Sequence, residues 1–69
     1  MAELLSTISG KVQEINIKVG DQITDDDEAI IIEAMKMETV VYGEAGVVKE
    51  ILVKEGDSVE EDQALAIIE

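Results

Sequence analysis

The chain is close to being one sequence written twice. Residues Gly10 to Glu33 (GKVQEINIKVGDQITDDDEAIIIE) lie over Gly46 to Glu69 (GVVKEILVKEGDSVEEDQALAIIE) without a gap, at an offset of 36, and 11 of the 24 aligned pairs are identical. The identities include Gly10/Gly46, Val12/Val48, Ile15/Ile51, Lys18/Lys54, Gly20/Gly56, Asp21/Asp57 and Glu33/Glu69. Carried backwards, the same offset sets Leu4-Leu5 against Val40-Val41 and Met1 against Met37. Two like sequences impose two like halves, related by an approximate two-fold axis. Only Ala34-Met35-Lys36 has no mate, so a symmetric scaffold carries one unmatched, lysine-centred feature.

The halves read as strands. Ile15, Ile17 and Val19 alternate with polar residues, as do Ile51 and Val53, and a period of two places such residues on one buried face. Val12 is out of phase with Ile15, and Val48 with Ile51, so a β-bulge or sharp bend is expected at the same place in both halves. Ile30-Ile31-Ile32 and Ala66-Ile67-Ile68 are short apolar runs suited to central strands. Gly20-Asp21 and Gly56-Asp57 mark turns that need positive φ. Asp26 and Asp62 mark the next turn, where aspartate tolerates the left-handed region. Strands are expected over 3–8, 11–18, 22–24, 28–33, 38–42, 46–54, 58–60 and 64–68, which makes the fold all-β with four strands per half. The mate of the Ala34–Lys36 turn is the gap between Glu69 and Met1. Both ends are therefore expected at one edge, and Lys36 at the opposite one.

A chain of 69 residues forms one small domain, which buries only about 60% of its unfolded surface. Tyr42 is its only aromatic residue and there is no cysteine, so aliphatic side chains must supply the core without disulfides or a thiolate zinc site. Five basic residues against 17 acidic ones give a net charge of −12, with no arginine or histidine. Such a surface repels phosphate backbones and anionic lipids, which argues against nucleic-acid and membrane-surface roles. No apolar run approaches the roughly 18 residues of a membrane helix and no signal-peptide pattern opens the chain, so the expected location is cytoplasmic. An enzyme is not expected either. Ser6, Ser9 and Ser58 have no histidine to activate them.

Glu33-Ala34-Met35-Lys36-Met37-Glu38 carries the chemistry. A lone lysine in a turn is usually only solvated, and methionines at i and i+2 usually fill a core. Here the Ala-Met-Lys-Met segment stands at the unique midpoint of a duplicated β-scaffold, and motif and location together are specific. The segment resembles the biotinyl (biotin carboxyl carrier) domain of biotin-dependent carboxylases, decarboxylases and transcarboxylases. The resemblance runs over the whole chain, since the flanking halves match that family's Gly-x-Val, Gly-Asp-x-Val (with Ile23 in the place of Val in the first half) and Ile-Glu pattern. It implies a single carrier domain over residues 1–69, with repeats 10–33 and 46–69 and a modified-lysine hairpin at 34–37. It implies a flattened barrel, or barrel-sandwich hybrid, of two four-stranded antiparallel sheets with pseudo-two-fold symmetry. By the same resemblance, biotin is attached covalently to Lys36. Glu33, Ala34, Met35, Met37 and Glu38 serve recognition by the ligase and other partners. Those implied partners are a biotin protein ligase, a biotin carboxylase, and a carboxyltransferase or decarboxylase subunit. Acylation needs a neutral amine, so the attacking nitrogen must lose its proton in the ligase site.

Two other readings are open at this point. A lipoyl-type acyl carrier shares the fold, but typically has Asp-Lys-Ala where this chain has Met35-Lys36-Met37. An acidic metal-binding module would rest on Asp25-Asp26-Asp27-Glu28, yet calcium loops space their ligands at alternate positions around a glycine, and four contiguous acids cannot all turn inward. The chain also departs from the biotinyl pattern. Ser6-Thr7-Ile8-Ser9 replaces a segment that often holds proline, and Asp26 and Asp62 stand where many members have glycine. The gap-free alignment leaves no room for the protruding thumb of multisubunit acetyl-CoA carboxylase carriers. The closer resemblance is to carriers of pyruvate, propionyl-CoA or decarboxylase-type systems, or to a small free-standing carrier.

Overall fold

Aliphatic residues at alternate positions, punctuated by Gly-Asp turns, give eight strands: β1 (Ala2–Leu5), β2 (Gly10–Ile15), β3 (Gln22–Ile23), β4 (Glu28–Ala34), β5 (Met37–Tyr42), β6 (Gly46–Ile51), β7 (Ser58–Val59) and β8 (Ala64–Ile68). The structure is a computed structural model and describes residues 2–69. The strands form two four-stranded antiparallel sheets, ordered β1-β8-β6-β3 and β5-β4-β2-β7. Replacing each strand by its repeat mate turns one order into the other, so the internal duplication is the symmetry of the fold. The flattened barrel-sandwich expected from the sequence is the architecture found.

The core obeys the same symmetry. Val12/Val48, Ile17/Val53, Ile23/Val59, Ala29/Leu65, Ile30/Ala66 and Ile32/Ile68 are all buried mates at the repeat offset. Leu4 completes the set, but its buried mate is Val41 rather than Val40. The registers show why: Leu4 lies opposite Ala66, and Val41 opposite Ile30. The offset changes from 36 to 37 across β1 and β5, which corrects the expected pairing of Leu4-Leu5 with Val40-Val41. The first link, Ser6–Ser9, is one residue longer than Gly43–Ala45 and absorbs the difference. The pairing expected for Met1 lies outside the described residues.

Backbone hydrogen bonds join the halves to each other. Each Gly-Asp turn closes on itself, with Lys18 N–H donating to Asp21 Oδ2 (2.9 Å) and Lys54 N–H to Asp57 Oδ2 (3.0 Å). Each turn then grips the other half. Gly20 N–H donates to Val48 O (2.8 Å) and Val48 N–H to Asp21 O (2.8 Å), while Gly56 N–H donates to Val12 O (2.7 Å) and Val12 N–H to Asp57 O (2.8 Å). The expected bulges are present, with register shifts between Val12 and Glu14 and between Val48 and Glu50.

Some boundaries and faces differ from those expected. The strands expected over 11–18 and 46–54 end at Ile15 and Ile51, and the one expected over 3–8 ends at Leu5. Beyond Ile15 and Ile51 the chain leaves the ladder and crosses toward the other sheet. Ile17 and Val53 are still buried there, but Val19 is 63% exposed and lies outside the alternation. Asp62 has φ +69°, as expected, whereas Asp26 is not among the left-handed residues. The two turns reach one outcome by different bonds: Thr24 N–H donates to Asp27 Oδ2, and its mate Glu60 N–H to Gln63 Oε1. Among the described residues no helix is long and apolar enough to cross a membrane.

The packing ranks the isoleucines. Ile32 and Ile68 are fully enclosed, and truncation to alanine is expected to cost about 2–5 kcal/mol each in a urea melt. Ile15 and Ile51 are only partly buried and should cost visibly less. Equal costs for Ile15→Ala and Ile32→Ala would contradict this core. Gly46→Ala should cost as much as a core truncation, because φ is +149° and the added Cβ would stand 2.6 Å from Glu69 O.

Candidate functional site

The unmatched segment forms the β4–β5 hairpin. Cross-strand partners run Ile30↔Val41, Ile31↔Val40, Ile32↔Thr39, Glu33↔Glu38 and Ala34↔Met37, leaving Met35-Lys36 as a two-residue loop. Both loop residues are left-handed, Met35 at φ +54° and Lys36 at φ +65°. Positive φ at both central positions is the type I′ pattern, whose twist suits flanking strands but normally selects Asn-Gly. For residues with a Cβ the left-handed region costs roughly 1–2 kcal/mol each. The register survives because Ile30, Ile32 and Val41 are locked in the core below, and a slip would turn all three out to water. Gly10 secures the base of the hairpin: a Cβ there would sit 2.5 Å from Glu33 O and 3.2 Å from Ala34 Cβ.

Exposure argues against a packing role for the two methionines. Met35 is 95% exposed and Met37 71%, so neither fills the core. Lys36 between them is exposed, and among the described residues it has no hydrogen bond or ion pair. Ala34 is half-buried beside Gly10, whose lack of a side chain leaves room for the Ala34 methyl. Glu33 and Glu38 face each other across the strands on the outer side of the sheet, a like-charge pairing that disfavours the hairpin slightly. The six residues singled out in the sequence are thus brought together at one tip. That tip is at the far end of the fold from Ala2 and Glu69. β4 rises from Glu28 to the tip, β5 returns to Tyr42, and β6 begins where Val47 and Glu69 exchange backbone hydrogen bonds. Ala2 is paired with Ile68 at that same end.

One contact at the tip was not anticipated from the sequence. Gln13, the extra residue of the β2 bulge, donates from Nε2 to Glu38 Oε2 at 2.6 Å, reaching over β4 to do so. The available signal was the mismatch of Gln13 with its repeat mate Lys49 within an otherwise matched bulge. The acidic run lies elsewhere. Asp27 Oδ2 closes its own turn through Thr24 N–H, and Asp26 N–H donates to Thr24 Oγ1 (3.3 Å). Within this run the Asp27 carboxylate thus serves turn formation, and Glu28 lies opposite Tyr42, at the end of β4 away from the hairpin loop.

Comparison with known proteins agrees with this geometry. The family model described as "Biotin-requiring enzyme" matches residues 2–68. Among solved structures, the urea carboxylase of Kluyveromyces lactis aligns at 41% identity with a TM-score of 0.86, over 97% of this chain and 6% of that one. A single-chain, multi-domain long-chain acyl-CoA carboxylase aligns at 26% identity with a TM-score of 0.87, over 94% of this chain and 7% of that one. The chain thus corresponds to a small part of each of these proteins. A search of the curated proteins finds no match.

The strained loop makes a stability prediction. Met35→Asn places a residue that tolerates the left-handed region at a position with almost no packing to lose. Urea denaturation should show a gain of about 0.5–1 kcal/mol. A loss of stability would mean that Met35 packs in solution in a way its exposure denies.

Proposed function

The chain belongs to the family of biotin-requiring enzymes, and from that premise we propose that it is a non-catalytic biotin carboxyl carrier, a single domain over residues 1–69 with biotin on Lys36. The observation that carries this reading is Lys36 itself, exposed and, among the described residues, unpaired at the apex of a left-handed hairpin between two exposed methionines. A carrier lysine must enter several active sites in turn, which calls for a projecting tip on a rigid base. In the attachment step Lys36 Nζ gives up a proton to become nucleophilic and attacks the activated carboxyl carbon. The amide C–N bond forms as the acyl–phosphate bond breaks, AMP leaves, and the nitrogen loses a second proton. Biotin, a group carrier, supplies the atom that holds a carboxyl group in transit. The chain's own residues present that carrier and dock it. Glu33, Ala34, Met35, Met37 and Glu38 form the surface that a biotin protein ligase, a biotin carboxylase and a carboxyltransferase or decarboxylase would meet. The large acidic surface leaves the uncharged acylated arm without an ionic partner on its own domain.

Two measurements test this. Incubation with biotin, ATP and a biotin ligase should add one biotin, located on Lys36 by peptide mass spectrometry, and Lys36→Arg should remain unmodified. Biotin on Lys18 or Lys54 instead would defeat the assignment, and attachment of lipoate by a lipoate ligase, with none of biotin, would turn it to the lipoyl carrier. Met35→Leu/Met37→Leu should melt like the parent, since both positions are exposed and the side chains have similar volumes. Its rates of biotin attachment and of carboxylation should fall, because shape and polarizability at the tip change while Lys36 stays. Unchanged rates with a lowered melting temperature would assign the methionines to packing.

A further inference from the structure

The two halves treat the same bulge residue differently, and the difference lies beside the hairpin. In the second half, Lys49 Nζ stands 3.7 Å from Glu69 Oε1, the mate of Glu33. In the first half, Gln13 passes over Glu33 and β4 and bonds the carboxylate of Glu38 on β5 at 2.6 Å. The bulge makes this reach available, since an extra residue in one strand re-aims its side chain.

The charges around Glu38 explain what the contact accomplishes. Glu33 has Lys11 opposite it on β2, whereas Glu38 has Glu33 opposite it and no strand beyond it, because β5 is an edge strand. A released Glu38 carboxylate is repelled by Glu33, and the nearest cation along the chain is the ammonium of Lys36, two residues away. Pairing there would hold the amine in its protonated form and draw it down against the strand. We propose that Gln13 is a positioning residue for acylation of Lys36: it keeps the Glu38 carboxylate over the sheet and the amine unpaired. The inference rests on Lys36 being the acylated residue, and it adds a residue outside the recognition motif to that chemistry. The contact is exposed, so its effect is modest. An exposed ion pair changes a rate by up to about five-fold, and salt screens it.

The test reads amine availability first without an enzyme. The parent, Gln13→Ala, Gln13→Glu, Glu38→Gln and the two double variants are treated with a biotin N-hydroxysuccinimide ester at low salt. Peptide mass spectrometry gives the ratio of acylation at Lys36 to that at Lys18 in the same molecule. Gln13→Ala should lower the ratio about three-fold, and Gln13→Glu further, because a second carboxylate expels the first. Both deficits should vanish in the Glu38→Gln background, where Gln13→Glu re-forms the bond with donor and acceptor exchanged, and both should vanish at high salt. Biotin ligase should rank the parent, Gln13→Ala and Gln13→Glu, all of which keep Glu38, in the same order by kcat/KM. Ratios equal to the parent's throughout would overturn the proposal, as would a deficit that persists with Glu38→Gln or in high salt. If the ester ranks the variants as stated while the ligase leaves even the parent unmodified, the biotin reading fails and the positioning role of Gln13 stands.

Discussion

Four backbone hydrogen bonds between the Gly-Asp turns and the bulged strands hold the two halves as one body. Gly20 and Asp21 bond Val48, and Gly56 and Asp57 bond Val12, so each half completes the other. Neither half could bury its aliphatic face alone. A chain with one aromatic residue and no disulfide has no other means of closing a core this small. The interlock also accounts for the retained Gly-Asp pairs. Glycine supplies φ +96° at each turn, and aspartate closes the turn with its side chain while its backbone carbonyl reaches across. The bulges beside Val12 and Val48 adjoin the same device: the pairing of β2 with β7 reaches only Lys11 and that of β6 with β3 only Val47, and the crossing turn takes over at the next residue.

The hairpin depends on that interlock for its shape. Its loop is chemically unsuited to its backbone, with methionine and lysine where glycine or asparagine is favoured, and the strain is tolerated because the strands below are fixed. The base holds Ile30, Ile32 and Val41 in the core and Ala34 against Gly10, while everything above Ala34 is solvated. Rigidity and exposure are thus separated along one element within a few residues. That separation supports the carrier reading, in which a partner acts on the tip without disturbing the core.

Much of this was legible in the sequence, and the parts that were not have physical causes. The eight strands, the bulges and the two-fold relation follow from side-chain phase and duplication, both of which are local signals. Strands β2 and β6 end early because the crossing interlock, a long-range bond, takes the chain away after Asn16 and Leu52, whose N–H groups make the last bonds to Ala29 O and Leu65 O. For the same reason Val19 keeps the alternating phase but faces water. The one-residue change of offset at β1 and β5 was hidden by similar apolar pairs on either side, Leu4-Leu5 and Val40-Val41. Turn chemistry alone would have missed the hairpin, since Met35-Lys36 is a poor I′ sequence. It was found through its lack of a mate and the Ala-Met-Lys-Met motif. Gln13 could not be assigned a role, because its partner lies two strands away.

The pairing of Ala2 with Ile68 has a topological consequence. It reproduces the pairing of Thr39 with Ile32, between which the chain runs through residues 33–38. At the other pole a connection of the same length, running from Ile68 to Ala2, would close the polypeptide into a ring. A bridge copied from that segment would make the ring two-fold throughout, with an amine at each pole. The break in the polypeptide could then be moved to the Ser6–Ser9 link, whose extra residue marks the place where the two halves already differ in length. The two poles are alike in strand pairing, so they differ in connectivity rather than in architecture.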